Sequence, residues 1–174
     1  MARALIVGCG CSGRALGSEL LEEGWAVRGT SRGEEGLAPI EAAGIEPALA
    51  DPDRVGTVLE LVGDVAVVFH LLGSAHGDPE AVAAIHGPRL ERLLEKVVDT
   101  PVRGIVYEAA GSVEPALLAA GAELVTSASR TWHIPVAVIE ADRADPPEGD
   151  DLGGWSQKMA DLALGLLSPA GESK

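Results

Sequence analysis

Aromatic side chains are scarce in this 174-residue chain: three Trp, one Tyr and one Phe, 3% of the whole. Its core must therefore be aliphatic, and 47% hydrophobic residues with 22 glycines suit an α/β core and argue against disorder. Basic residues are the second shortage. Thirteen Lys and Arg stand against 27 Asp and Glu, a formal net charge of −14. That balance argues against general binding to nucleic acid or to an anionic membrane, since both need a basic face. Cysteine is confined to Cys9 and Cys11. One intervening residue would strain a disulfide between them, and no second ligand cluster stands near for zinc, so no metal site is expected. They read as small fillers of a turn, with a redox-sensitive thiol at a helix start as the alternative. No apolar run approaches the ~20 residues that span a bilayer. The chain enters its first strand without a basic leader or cleavage site, and the expected location is the cytoplasm. The length suits one good core and not two ordinary domains, here residues 1–167 with a frayed tail over 168–174.

Glycine is where the sequence is most specific. Ala4 to Val7 is a short apolar run, and Gly8-Cys9-Gly10-Cys11-Ser12-Gly13 follows it as G-x-G-x-x-G. Arg14 to Glu23 then reads as a helix, with Leu16 and Leu20 on one face. In such a turn Gly8 allows a tight reversal, Gly10 lets backbone approach a pyrophosphate, and Gly13 lets helix and strand pack closely. The helix start offers unpaired N–H groups and partial positive charge to the phosphates. The spacing alone is weak; its place between a strand and a helix points to dinucleotide binding.

The same alternation continues along the chain. Strands are expected over Trp25 to Thr30, Ile45 to Ala50, Val65 to Leu72, Val102 to Ala109 and Ile134 to Glu140. Helices are expected over Glu34 to Ala43, interrupted by Pro39, and over Val55 to Val62, capped by Asp51-Pro52-Asp53. A long helix starts at Pro79 and bends near Gly87-Pro88; others run from Pro115 to Thr131 and from Trp155 to Leu167. Leu90, Leu93, Leu94, Val97 and Val98 form an apolar stripe, more often core than subunit contact. Loops are expected at Gly73 to Asp78 and Ala141 to Asp151. Six strands alternating with helices predict an α/β fold: a doubly wound parallel sheet in the order 3-2-1-4-5-6. Ligands of such sheets lie beyond the carboxyl ends of the strands, where the order reverses.

Residues at those ends are the candidates. An NAD site places an acid after the second strand, where it accepts from the ribose 2′-hydroxyl; here the chain reads Thr30-Ser31-Arg32. A guanidinium binds a 2′-phosphate that a carboxylate would repel, so NADP(H) is expected ahead of NAD(H). Arg32 is the main candidate, Arg14 and Arg28 lesser ones, and Thr30 and Ser31 add hydroxyls. Asp51 could accept from an adenine amino group, cap the next helix, or do both. Leu72 and Gly73, ending the fourth strand, complete the expected cofactor contacts. His76 and Glu108 are candidate acid and base; His70, Tyr107, Ser112, Glu140 and Asp142 fall at the same end. Glu108 could instead pair with Arg103 or Arg130, and Ser112 could cap a helix. Trp132 and Trp155 would cover hydrophobic edges or, if exposed, mark a subunit contact.

Gly8 to Gly13, Gly29-Thr30-Ser31-Arg32, Ala50-Asp51 and Val106-Tyr-Glu-Ala-Ala-Gly-Ser112 together resemble the short-chain dehydrogenase/reductase superfamily, most of all its atypical, NAD(P)-dependent epimerase/dehydratase-like branches. The resemblance covers roughly residues 2–143 and implies a Rossmann domain, hydride transfer at a carbonyl or alcohol, a Tyr four residues before a Lys as acid/base, an assisting Ser after the fifth strand, for which Ser112 is the candidate, and a homodimer. The chain departs from it at the dyad. Its one tyrosine, Tyr107, is followed four residues later by Gly111, and its lysines are Lys96, Lys158 and Lys174. The dyad's usual place falls near Pro115 and Ala119, which carry no acid/base group. The expectation is an NADP(H)-binding protein, regulatory or divergent in chemistry. The alternatives are a reductase of small carbonyls using His76 or Glu108, and an acidic interaction module with a vestigial turn.

Overall fold

A computed structural model describes residues 2–140 and 151–167. The loop expected from Ala141, with Asp142, and the tail from Ser168 fall outside the described residues. Six parallel strands form one sheet: β1 (Arg3–Val7), β2 (Ala26–Ser31), β3 (Glu46–Leu49), β4 (Val67–His70), β5 (Gly104–Glu108) and β6 (Val136–Ile139). Their order is β3-β2-β1-β4-β5-β6, as the alternation predicts. Between them run α1 (Cys11–Glu22), α2 (Leu37–Ala42), α3 (Val55–Leu59), α4 (Pro79–Ile85), α5 (Pro88–Val97), α6 (Pro115–Trp132) and α7 (Asp151–Leu167).

Both faces of the sheet are covered, so the central strands are mostly apolar, with Arg3, His70 and Glu108 at their ends. Leu5 and Val7 of β1 face one core with Val58, Ile85, Leu90 and Val125, beneath α3 to α6. Ala4 and Ile6 face the other with Leu16, Leu20, Ile40 and Met159, beneath α1, α2 and α7. The α5 stripe belongs to the core: Leu90, Leu93, Leu94 and Val97 are buried and only Val98 is exposed. Each such leucine contributes ~1.5–3 kcal/mol through burial. Among the described residues no helix is long and apolar enough to cross a membrane.

Three local expectations need correction. Pro39 does not interrupt its helix; a 3₁₀ turn over Glu34–Gly36 precedes α2, and Pro39 sits in the first turn of α2, where its missing N–H has no partner to lose. The Asp51 side chain does not cap α3, whose preceding residue is Arg54; Asp51 Oδ1 accepts from Asp53 N at 2.9 Å instead. The long helix is two helices, broken at Gly87 (φ −128°, ψ −111°), with Asp78 capping the first by accepting from Glu80 N.

Arg28 lies at the amino end of the sheet, away from the strand ends where it was expected to help. It donates to Asp64 (2.9 Å), Glu46 (3.2 Å) and the Leu61 carbonyl (2.7 Å), and Arg3 pairs with the same two acids. Its hydrogen bond, reinforced by its charge, holds the Asp64 carboxyl below the usual range. Arg28 ties β2, β3 and the approach to β4 together.

Candidate functional site

The three glycines after β1 are glycine for different reasons. Gly8 has φ +86°, and a Cβ there would stand 2.6 Å from the Leu71 carbonyl oxygen and 2.8 Å from Leu72 Cδ2. At Gly13 a Cβ would approach Gly8 O and Ile6 Cγ2 to 3.2 Å, so α1 lies tight against β1. Gly10 is unlike either. Its backbone is extended (φ −83°, ψ −154°), and no described atom lies within 4 Å of where its Cβ would be. The described fold gives no steric reason for glycine at that position.

The turn is pinned to β2: Gly8 N donates to Thr30 Oγ1 (3.2 Å) and Cys9 N to Thr30 O (3.0 Å). Thr30 is thereby buried and already engaged. The first intrahelical bond is Arg14 N to Gly10 O at 2.8 Å. The N–H groups of Cys11, Ser12 and Gly13 have no hydrogen-bond partner among the described residues, and the first turn holds no acid. A helix start of this kind presents partial positive charge to whatever fills the space before it. Both cysteines are free thiols. Burial pushes the Cys9 thiol up to about 12, whereas Cys11 is exposed and accepts from Arg14 Nη2 at 3.4 Å.

These groups open onto a cleft of about 390 Å³ over β3, β2, β1 and β4. Gly8, Gly10, Cys11, Ser12, Gly13, Thr30, Ser31, Arg32, Asp51, Leu72 and His76 all line it, as does Arg14. Arg32 is exposed, and its Nη2 donates to the His76 carbonyl at 3.2 Å, crossing from the end of β2 to the loop after β4. Ser31 closes a small turn: its Oγ donates to Gly33 O at 2.8 Å and accepts from Gly33 N at 3.3 Å. Of the two acids in the cleft, Asp53 accepts from Arg89 Nε at 3.0 Å, and Asp51 uses one oxygen on Asp53 N. Sequence reading missed Asp53, Ser74 and the apolar wall made by Ala81, Val82 and Ile85 of α4. The spacing of those three places them on one side of the helix and was the available signal.

Gly73, Glu108 and Ser112 stand beside the cleft and are not among its lining residues. Glu108 is buried, and its Oε1 accepts from Gly73 N at 2.9 Å. Ser112 is exposed and donates its N–H to Ser74 Oγ at 3.2 Å; Glu114 precedes α6, so Ser112 is not its cap. Pro115 and Ala119 lie in the first turns of α6.

Behind the cleft wall is a buried polar group that the sequence did not announce. Tyr107 is fully buried, its hydroxyl 2.7 Å from His86 Nδ1, and His86 Nε2 is 2.9 Å from the Leu72 carbonyl. A carbonyl only accepts, so Nε2 carries the proton and Nδ1 accepts from the phenol. His70 packs against both rings at centroid distances of 5.6 Å and 5.2 Å. Desolvation, with His86 adding to it, pushes His70 down to about 3, and desolvation also lowers His86. Burial, and secondarily the Glu108 charge, raises the Tyr107 phenol well above its ordinary value. This group positions Leu72 and has no access to the cleft as a proton donor.

Among the described residues no group of acids, histidines and cysteines is arranged to hold a metal ion. Parallel strands in this order, with a glycine turn opening the first helix, define a Rossmann-type fold.

Solved structures with this fold include the UDP-glucuronic acid 4-epimerase of Bacillus cereus in complex with NAD, 17% identical over 80% of this chain and 56% of that one, with a TM-score of 0.62. Another is the Citrobacter sp. triphenylmethane reductase complexed with NADP(H), 18% identical over 80% of this chain and 49% of that one, TM-score 0.61. A third, the TT0495 protein of Thermus thermophilus, is 17% identical over 93% of this chain and 90% of that one, TM-score 0.69. The chain thus spans about half the length of the first two. At these identities the likeness is one of fold. No family model matches the chain, and no curated protein matches its sequence.

Proposed function

We propose that the chain binds a nicotinamide dinucleotide, NADP(H) in preference to NAD(H), in the cleft above β1, and that it acts as a cofactor-binding or regulatory protein and not as a standard reductase. The observation that carries this reading is Gly10. Its Cβ position is open and its backbone ordinary, yet it stands in the cleft beside three N–H groups that have no partner among the described residues. Glycine is tolerated at a helix N-cap, and a ligand that comes against the backbone supplies the steric reason for it that the described fold does not. A diphosphate suits the amides and the partial charge of the helix start.

The exposed guanidinium of Arg32 suits a 2′-phosphate, and the second carboxylate oxygen of Asp51, without a hydrogen bond among the described residues, suits an adenine amino group. The cofactors held by the B. cereus and Citrobacter proteins, NAD and NADP(H), agree with this ligand class. When bound, a nicotinamide cofactor would supply hydride chemistry; this chain's residues supply binding and orientation.

The test is a titration of NADPH and NADH against the protein and its Arg32→Glu variant. Saturation at a hundred times Kd stabilises a fold by ~2.7 kcal/mol, a rise in Tm of ~5–10 °C for a domain of this size. The variant should lose NADPH affinity at least tenfold and keep NADH within about threefold. Equal loss for both would refute the 2′-phosphate assignment, and no shift with either would refute the ligand.

A further inference from the structure

A sheet in this order offers two halves to a dinucleotide, one mononucleotide over β3-β2-β1 and the other over β4-β5-β6, with the crevice between β1 and β4. Here the two halves differ. Every described residue lining the cleft comes from the turn after β1 and the start of α1, the ends of β2 and β3, the Gly36 turn, the loop after β4, or α4. None comes from β5 or β6.

The ends of β4 and β5 are joined to each other. Val113 N donates to Gly73 O at 2.9 Å, Ser112 N to Ser74 Oγ at 3.2 Å, and Gly73 N to the buried Glu108 at 2.9 Å. The two backbones touch so closely that a Cβ on Gly73 would overlap the Ala110 carbonyl, and one on Gly111 would overlap the Gly73 carbonyl. Gly111 also has φ +140°, a conformation that only glycine adopts readily. The loop after β5 thus lies against the loop after β4, where the second half would open. The cleft volume, about 390 Å³, is near the low end of the ~300–1,000 Å³ typical of small-molecule sites.

Resting on the reading above, we infer that the cleft is a site for the adenosine-diphosphate half of the ligand alone. The ligand class is an adenine nucleotide carrying a 5′-diphosphate and a 2′-phosphate. A whole dinucleotide binds through that half, with its nicotinamide ring outside the joined ends of β4 and β5. Glu108 and Ser112 are occupied in holding those ends together, which makes them positioning residues for the cleft wall.

The full chain should be titrated in a calorimeter with NADPH, with 2′-phosphoadenosine 5′-diphosphate and with reduced nicotinamide mononucleotide. Saturation-transfer NMR on bound NADPH gives a second readout. The expected result is Kd values for NADPH and the phosphoadenosine within tenfold of each other, no heat from the mononucleotide, and saturation of the adenine protons but not of nicotinamide C4. A tenfold or greater advantage for NADPH, heat from the mononucleotide, or saturation at C4 would overturn the inference while leaving dinucleotide binding intact. Silence from all three ligands would instead overturn the dinucleotide reading itself.

Discussion

Replacing Gly10 by aspartate should make the protein more stable and its cleft nearly useless for phosphates. Gly10 precedes the first turn of α1 and has φ −83°, so aspartate fits the backbone, and with nothing within 4 Å its side chain has room. There it can accept from the amides that have no partner among the described residues. Asp exceeds Gly at this position by a few tenths of a kcal/mol, and a carboxylate at a helix start adds ~0.3–1 kcal/mol, so the gain is ~0.5–1 kcal/mol, or ~1–4 °C in Tm. The same carboxylate faces any diphosphate. At 4 Å a pair of like charges costs ~1 kcal/mol in water and ~4 kcal/mol at the dielectric of a protein surface; a midway value of ~2 kcal/mol weakens binding ~30-fold. Thermal melts of the free protein and calorimetric titration of NADPH measure the two effects separately. Gly10→Ala, which adds bulk without charge, should leave the melt within ~0.5 kcal/mol and weaken NADPH less than aspartate does. If Gly10→Asp binds NADPH within threefold of the parent, the amides of α1 do not hold the diphosphate. A variant that melts lower than the parent would show that the space at Gly10 is not open.

Gly121→Ala tests the buried polar group. Helix propensity alone favours alanine by ~1 kcal/mol, but its Cβ would overlap the Tyr107 hydroxyl, and overpacking with the loss of the His86 bond costs more, leaving a net loss of ~2–3 kcal/mol by urea denaturation. Adding Tyr107→Phe should recover part of that loss by removing the clashing oxygen; no recovery would mean that the overlap is not the cause. His70 gives the stability a pH dependence. Its folded pKa is depressed to about 3 from 6.5, so above 6.5 it is neutral in both states; below that the unfolded chain takes up a proton that the folded one refuses. Stability should therefore fall as pH drops from 6.5 towards 3, by ~2 kcal/mol for this residue at pH 5, with His86 acting in the same direction. Denaturation midpoints at pH 7.5 and 5 measure this, and His70→Leu should flatten the slope; a profile unchanged in the variant would assign the titration elsewhere.

The topology was readable because hydrophobic runs alternate with amphipathic segments and the glycine spacing marks the first crossover. The cleft floor was readable for the same reason: Gly8 to Gly13 and Thr30 to Arg32 are fixed by their distance from strands that are themselves easy to see. What lay beyond reach was side-chain direction on a strand buried from both sides. Along Gly104 to Glu108 every residue is buried, so alternation says nothing about which face each one takes. Tyr107 turned to the side of α6 and met His86, while Glu108 closed onto Gly73. His86 drew no notice after the apolar run Ala81 to Ile85, although a lone tyrosine inside such a strand needs a partner for its hydroxyl. Arg28 was misplaced for a simpler reason: three residues of extended chain separate it from the carboxyl end of β2, and its counter-ions come from β3 and the approach to β4, far away in sequence.

The contact from Arg32 to the His76 carbonyl makes the free cleft a place already taken. A neutral peptide oxygen holds one arm of the guanidinium, and a newcomer must win that arm away. A dianionic ester does so easily, whereas a bare ribose hydroxyl gains little by trying. Selectivity between the two nucleotides would then come from an exchange of partners, with the His76 carbonyl given up when the phosphorylated one arrives.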